Sequence, residues 1–286
     1  MLPRYLIADV DDTFTVGGRI HPQVLAAAAR AEAAGIELIL NTGRPAGFGA
    51  ALLSYVPSVS AVVVENGGAW LDRRAHRANP TVQDADDCRA EPPAPDSGDL
   101  PLQFAVQPPP DLRERLIALR QLTAARLGLP LRPTADSAYR VTDHTAVRTL
   151  PAGSAGAALL ERMSEIVAEA TAGAGHILAS SIHIHFMLDG ENRRSKARGT
   201  AALLAGRGIA DPAAELRQWA VSVGDSANDA SLFEPDRFAL SVGVRNIERY
   251  LPELAGLRPR HITRAAEGIG LCELIDDLLR GALPIG

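Results

Sequence analysis

The chain has 286 residues, a formal charge of −5 and 47% apolar residues. That length can bury one large core or two smaller ones, and an acidic balance without a basic run argues against a nucleic-acid partner. No apolar stretch approaches the roughly 18 residues that a bilayer crossing needs, and no secretory leader is visible at the N-terminus. Cys88 and Cys272 are too few for a disulfide scaffold and lack metal-ligand spacing. The expectation is a cytoplasmic protein, monomeric or homodimeric, with reduced thiols and no membrane partner. Of the 29 basic side chains, 28 are arginine and one, Lys196, is lysine. A compact ammonium kept at one position of an arginine-biased chain marks that position, unless it is a stray.

The first element is the apolar run from Arg4 to Ala8, a buried strand that ends in Asp9-Val10-Asp11-Asp12-Thr13. Side chains alternate along a strand, so Asp9 and Asp11 are expected on one face at its carboxyl end. Open α/β sheets bind ligands at that end. Two packed carboxylates repel, and a cation or a shared proton relieves them. The pair reads as a metal site or an acid/base pair, set against a plain acidic turn. Val16 to Ile20 reads as a tight hairpin or flap. Pro22 opens a helix that runs to Ala34, with Gly35 just past its end. Ile36 to Leu40 is the next strand, and it ends in Asn41-Thr42-Gly43-Arg44-Pro45. Strand, helix, strand implies a parallel, right-handed unit. Thr42 then lies at the same sheet edge as Asp9, where a hydroxyl and glycine-flanked N–H groups can hold an anion. Ala61 to Val64 is a third strand, followed by Glu65-Asn66-Gly67-Gly68.

The Pro- and Asp-rich stretch from Thr81 to Pro110 breaks this rhythm and reads as a boundary into a different unit. Within that unit, Asp111 to Leu127 and Ser154 to Ala170 have helical periodicity, and Tyr139 to Val147 reads as a strand or hairpin. Ser181 to Leu188 is a strand with His183 and His185 on one face. These histidines line a pocket, bind a metal or occupy a half-exposed face. From Asn192 the α/β rhythm returns. A helix is expected from Arg193 to Gly206 with Lys196 in its first turn. A strand from Trp219 to Val223 ends in Gly224-Asp225-Ser226-Ala227-Asn228-Asp229. Phe238 to Val242 and His261 to Thr263 are further strands, and Leu271 to Leu279 closes the chain as a helix. No internal repeat is present. The organisation is an α/β core from residues 1–80 and 192–286, with an inserted α/β unit over 81–191.

Asp9 and Asp11, Thr42, Lys196, and Asp225 and Asp229 thus fall at polar strand or helix ends. Carboxylates at two strand ends suit Mg2+, which takes oxygen ligands and keeps waters that a phosphate displaces. A hydroxyl and a lysine complete a cradle for phosphoryl transfer. In this combination the chain resembles the haloacid dehalogenase superfamily of aspartate-nucleophile phosphatases. Asp9-Val10-Asp11-Asp12-Thr13 is similar to its first motif, Thr42 to its second, Lys196 to its third and the Gly224–Asp229 segment to its fourth. The insertion resembles the type IIB cap of Cof-like and sucrose-phosphate phosphatases, and Asn66-Gly67-Gly68 resembles a turn of that subgroup. Arg245-Asn246 and Glu267-Gly268-Ile269 fall where its later motifs lie. Asp12 departs from the pattern, since many relatives carry glycine there.

The resemblance implies a Rossmann-like core whose parallel sheet is flanked by helices, with an inserted C2B-type cap. It implies Mg2+-dependent hydrolysis of a small phosphomonoester, a sugar or aminosugar phosphate, through an aspartyl-phosphate. By position, Asp9 is the nucleophile and Asp11 the acid/base. Thr42, Gly43 and Lys196 hold the phosphoryl group, with Asn66 and Asn228 beside them. Asp9, the Asp11 carbonyl, Asp225 and Asp229 surround Mg2+. Arg140, Asp143, His183 and His185 are candidates for reading the substrate. A phosphomutase, a phosphoacceptor module and a sugar-phosphate-binding protein are the alternatives. A phosphonatase needs a lysine in the inserted unit for a Schiff base, and that unit has none.

Overall fold

The computed structural model of the chain describes residues 1–74, 101–151, 154–180, 182–190, 193–254, 256–283 and 285. The expected boundaries near residues 81 and 192, and Cys88, lie outside the described residues.

Among the described residues, eleven strands form two sheets. The first run is β1 (Tyr5–Ala8), β2 (Glu37–Asn41), β3 (Val59–Val64), β4 (Ala69–Asp72) and β5 (Gln103–Phe104). Next come β6 (His144–Val147), β7 (Gly175–Ala179) and β8 (His183–Leu188), then β9 (Ala220–Gly224), β10 (Leu240–Gly243) and β11 (His261–Ile262). The large sheet has the order β11-β10-β9-β1-β2-β3-β4-β5. It is parallel from β11 through β3, and β4 and β5 add antiparallel edges.

A parallel sheet is covered on both faces, so its strands read as unbroken apolar runs. All four residues of β1 are buried. Leu6 and Ala8 join one core with α1 (Pro22–Ala33), α2 (Ala46–Tyr55) and α7 (Glu267–Leu279). Tyr5 and Ile7 join the opposite core with α5 (Lys196–Gly206) and α6 (Pro212–Trp219). The small sheet, β6-β8-β7, is antiparallel. Ile184 and Phe186 of β8 pack against α3 (Leu112–Leu127) and α4 (Ser154–Ala170). The alternation along β8 turns His183 and His185 to the other face, towards the large sheet. Among the described residues, no helix is long and apolar enough to cross a membrane.

Several elements differ from expectation. β1 stops at Ala8, and the chain then winds, with the Phe14 and Thr15 N–H groups both bonded to the Val10 carbonyl. Tyr139–Val147 is not one strand: a 3-10 turn covers Ala135–Tyr139 and the strand begins at His144. Trp219 closes α6 instead of opening β9. Helix α7 begins four residues early, at Glu267, and α5 begins at Lys196 with Ser195 as its cap. Helix α2 is concealed in the sequence by Gly47 and Gly49, which lower helix propensity. Gly49 is there for contact, since a Cβ would stand 2.6 Å from Val64 Cγ1. Helix α6 carried a readable start signal in Asp211-Pro212.

Candidate active site

β1 lies between β2 and β9, so the strand order turns back at β1. Ala8 is level with Leu40 on one side and Val223 on the other. The residues leaving these three strands, Asp9, Thr42 and Asp225, therefore emerge at one edge. This is the switch point at which parallel sheets bind ligands.

Lys196, the first residue of α5, is fully buried there. Its Nζ donates to Asp9 Oδ1 and, at 2.6 Å, to Asp229 Oδ1. Burial works against this ammonium, but the Asp229 and Asp9 carboxylates hold its pKa above the usual lysine value. Asn41 secures the helix start, with Nδ2 donating to the Lys196 carbonyl at 2.8 Å and Thr200 Oγ1 at 2.9 Å.

Oxygens of Asp9, Asp225 and Asp229 all lie within 4.8 Å of one another. Burial, then the surrounding carboxylates, push both Asp9 and Asp225 above the ordinary carboxylate range despite Lys196. Buried oxygen donors carrying more negative charge than one ammonium can balance fit a hard divalent cation such as Mg2+. Asp225 is braced by Thr13 Oγ1 at 3.1 Å and Asn246 Nδ2 at 3.0 Å. Asp229 has less freedom. Its Oδ1 serves Lys196, while Oδ2 accepts the Asp225 and Ser226 N–H groups at 2.9 and 3.0 Å. Asp229 thereby fixes both the loop and the lysine.

Asp11 shares the Asp9 cavity but not its partners. Arg44 grips it bidentately, Nη2 to Oδ1 at 2.7 Å and Nε to Oδ2 at 2.8 Å. Thr42 is fully buried, with its hydroxyl accepting the Arg44 N–H at 3.1 Å. Gly43 follows, and its carbonyl accepts from Arg140 Nη1 at 2.8 Å. Asn66 and Asn228 meet, Nδ2 of Asn228 donating to Oδ1 of Asn66 at 3.3 Å. Gly67 locks this loop to α5. At its φ of +97°, a Cβ would stand 2.2 Å from the Ser195 carbonyl oxygen.

The small sheet closes the other side. Glu65, buried and at a φ of +50°, accepts from the N–H groups of Val141, Thr142 and Asp143 and from Thr142 Oγ1. Burial and then Asp143 push its carboxyl up to about 7. Arg140, Asp143 and His185 form a buried chain in contact with Asn66. His183 lies 5.9 Å from His185, edge to face, and both line the cavity with Asp9 and Asp11.

All nine core residues expected from the sequence thus gather at this edge. Thr13, Arg44 and Glu65 belong to the arrangement without having been assigned roles. Arg44 adjoins Thr42-Gly43, and Glu65 is an acid directly after the apolar run Ala61–Val64, which is a readable signal. Asn246 and Glu267, noted only as motif positions, are structural. The Asn246 Oδ1 accepts the Glu267 N–H at 2.9 Å, and Glu267 Oε2 accepts the Gly17 N–H at 2.7 Å.

No family model matches the sequence, and no curated protein matches it either. Solved structures do. A haloacid dehalogenase-like hydrolase from Bacteroides thetaiotaomicron is 16% identical, with a TM-score of 0.61 over 96% of this chain and 99% of that one. The sucrose-phosphatase of Synechocystis sp. PCC6803, solved with sucrose and phosphate, is 16% identical, with a TM-score of 0.60 over 97% and 98%. A sugar phosphatase of haloacid dehalogenase subclass IIB is 14% identical, with a TM-score of 0.60 over 98% and 100%. The described residues therefore share the fold of these haloacid dehalogenase-type structures.

Proposed function

We propose that this chain is a Mg2+-dependent phosphatase that hydrolyses a small phosphomonoester, a sugar or aminosugar phosphate, through an aspartyl-phosphate. The observation that carries the reading is the convergence of the only lysine of the chain with Asp9, Asp225 and Asp229 at the switch point. A phosphoryl group carries its charge on oxygens, and catalysis of its transfer is mainly positioning and neutralisation.

In this reading an Asp9 oxygen attacks phosphorus and the bond to the leaving oxygen breaks. Asp11 gives that oxygen a proton. Water then attacks the phosphorus of the aspartyl-phosphate. Asp11 takes the water proton, and the bond to Asp9 breaks to release phosphate. Lys196 and the Thr42 hydroxyl hold the transferring group. Asp9, Asp225 and the Asp11 carbonyl would hold Mg2+, which supplies charge neutralisation at the phosphoryl oxygens. The small sheet with α3 and α4 acts as the cap, inserted between the two halves of the core. The cavity beneath it is lined by Asp9, Asp11, Gly43, Arg44, His183 and His185, and the substrate would be held there. The partner is a small phosphorylated molecule.

Phosphate release from a panel of sugar, aminosugar and alditol phosphates, and from p-nitrophenyl phosphate, tests the reading. Turnover with Mg2+ that EDTA abolishes is expected. A stable phosphoprotein without release would favour the phosphoacceptor reading instead.

A further inference from the structure

His185 of β8 has one ring nitrogen committed and one open. Its Nδ1 lies 2.7 Å from Asp143 Oδ2. Asp143 is itself held by Arg140, whose Nη1 donates to Oδ1 at 2.9 Å and Oδ2 at 3.2 Å. Both side chains are fully buried. The same Arg140 nitrogen reaches the Gly43 carbonyl. A carboxylate paired with a buried guanidinium stays ionised, and an ionised carboxylate only accepts. The proton of a neutral His185 is therefore on Nδ1, directed at Asp143. Asn66 Nδ2, 3.2 Å from the same nitrogen, competes with a charged acceptor and loses.

That leaves Nε2 with a bare lone pair. Among the described residues it has no hydrogen-bond partner, and the residue lines the cavity shared by Asp9, Asp11 and Gly43. The ring packs against the phosphate-side loop: a Cβ on Gly43 would stand 3.1 Å from His185 Cε1. The ring therefore sits next to the proposed phosphoryl site.

We propose that His185 Nε2 accepts a hydrogen bond from a hydroxyl of the leaving group, and that Asp143, anchored by Arg140, is the positioning residue that keeps Nε2 unprotonated for it. This rests on the phosphatase reading and specifies its substrate: an ester whose alcohol carries a further hydroxyl close to the ester oxygen. A site built to accept a hydrogen bond rejects an analogue that lacks the donor, because the buried acceptor is then left unpaired.

Two measurements test this. The first is the 15N spectrum of the His185 ring at neutral pH. A protonated Nδ1 and bare Nε2 are expected in the wild type, with mixed tautomers in Asp143→Asn. A wild-type ring protonated on Nε2 overturns the proposal. The second is kcat/KM for the best hydroxylated ester of the panel relative to that for p-nitrophenyl phosphate, whose leaving group has no hydroxyl beside the ester oxygen. His185→Phe is expected to lower that ratio about a hundredfold and Asp143→Asn about tenfold. His185→Gln, with an amide oxygen as replacement acceptor, is expected to fall between them and serves if the Phe variant does not fold. An unchanged ratio overturns the proposal, as does turnover of p-nitrophenyl phosphate with none of the hydroxylated esters. A wild-type protein that releases phosphate from neither class overturns the phosphatase reading and this one with it.

Discussion

Arg44 grips Asp11 with both arms of its guanidinium, at 2.7 and 2.8 Å. The fork fixes the carboxylate proposed as acid and base in the cavity that Asp9 also lines. A planar fork and a point charge are not equivalent at a bidentate contact. Arg44→Lys should therefore lower kcat/KM by about tenfold, the loss of one charge-assisted hydrogen bond. Steady-state phosphate release from p-nitrophenyl phosphate checks it, and unchanged constants would show that Asp11 positions itself.

Lys196 presents the opposite case. Its Nζ bridges Asp9 and Asp229, and the lysine side chain is fully buried. An arginine there must find room for a larger, planar head among buried groups. Lys196→Arg should lower kcat/KM by about a hundredfold or more, because a misplaced charge leaves two buried carboxylates poorly paired. Activity within a factor of two would make the lysine incidental.

The fit of the carboxylate cluster to a cation has a readout independent of turnover. A cation that binds only the folded protein stabilises it by about 2.7 kcal/mol at a hundred times its Kd. Mg2+ should raise the Tm of the wild type by a few degrees, and Asp225→Asn should lose that response. Equal shifts in both proteins would move the cation away from Asp225.

Much of this site was legible before the fold was known. Asp9, Thr42, Lys196 and Asp225 mark element ends, and topology alone brings such ends together. What the sequence left open was who pairs with whom. Alternation along an extended strand put Asp9 and Asp11 on one face, but the chain leaves β1 at Ala8 and Asp11 turns to Arg44. Asp229 read as a metal ligand or a partner of one, and the sequence did not show that its oxygens also serve Lys196 and two backbone N–H groups. Glu65 stood out as an acid after an apolar run, but its partners, residues 141–143, are remote in sequence, so what it holds was not legible. Contacts of that kind are set by tertiary packing, which local propensity does not encode.

Gly67 supplies a stability test of one such contact. Its φ of +97° strains any side chain, and a Cβ would meet the Ser195 oxygen at 2.2 Å. Gly67→Ala should cost about 2 kcal/mol or more, combining backbone strain with overpacking. Denaturant unfolding measures it. A change below half that value would mean the loop and α5 separate easily.

His144 sets an acid limit. Its Nε2 accepts from Arg120 Nε at 3.0 Å, so the ring must stay neutral. Burial, then Arg120, push its pKa down to about 4 from 6.5. The unfolded chain takes up the proton first as pH falls, so this contribution to stability is full above 6.5 and is lost towards 4. His183, pushed down to about 4 by burial and then by His185, acts over the same window. In His144→Gln, whose amide oxygen can still accept from Arg120, Tm should fall less between pH 7 and pH 4.5 than in the wild type. Identical slopes would place the acid sensitivity elsewhere.

Asp9 is the residue proposed to carry the phosphoryl group. This is tested by quenching the protein during turnover of p-nitrophenyl phosphate with Mg2+, reducing with borohydride and mapping the peptides by mass. An acyl phosphate is reduced to the alcohol, so the account predicts conversion of Asp9 to homoserine in the wild type and none in Asp9→Asn, which should also release no phosphate. An unmodified Asp9, with Asp9→Asn releasing phosphate at the wild-type rate, would contradict it.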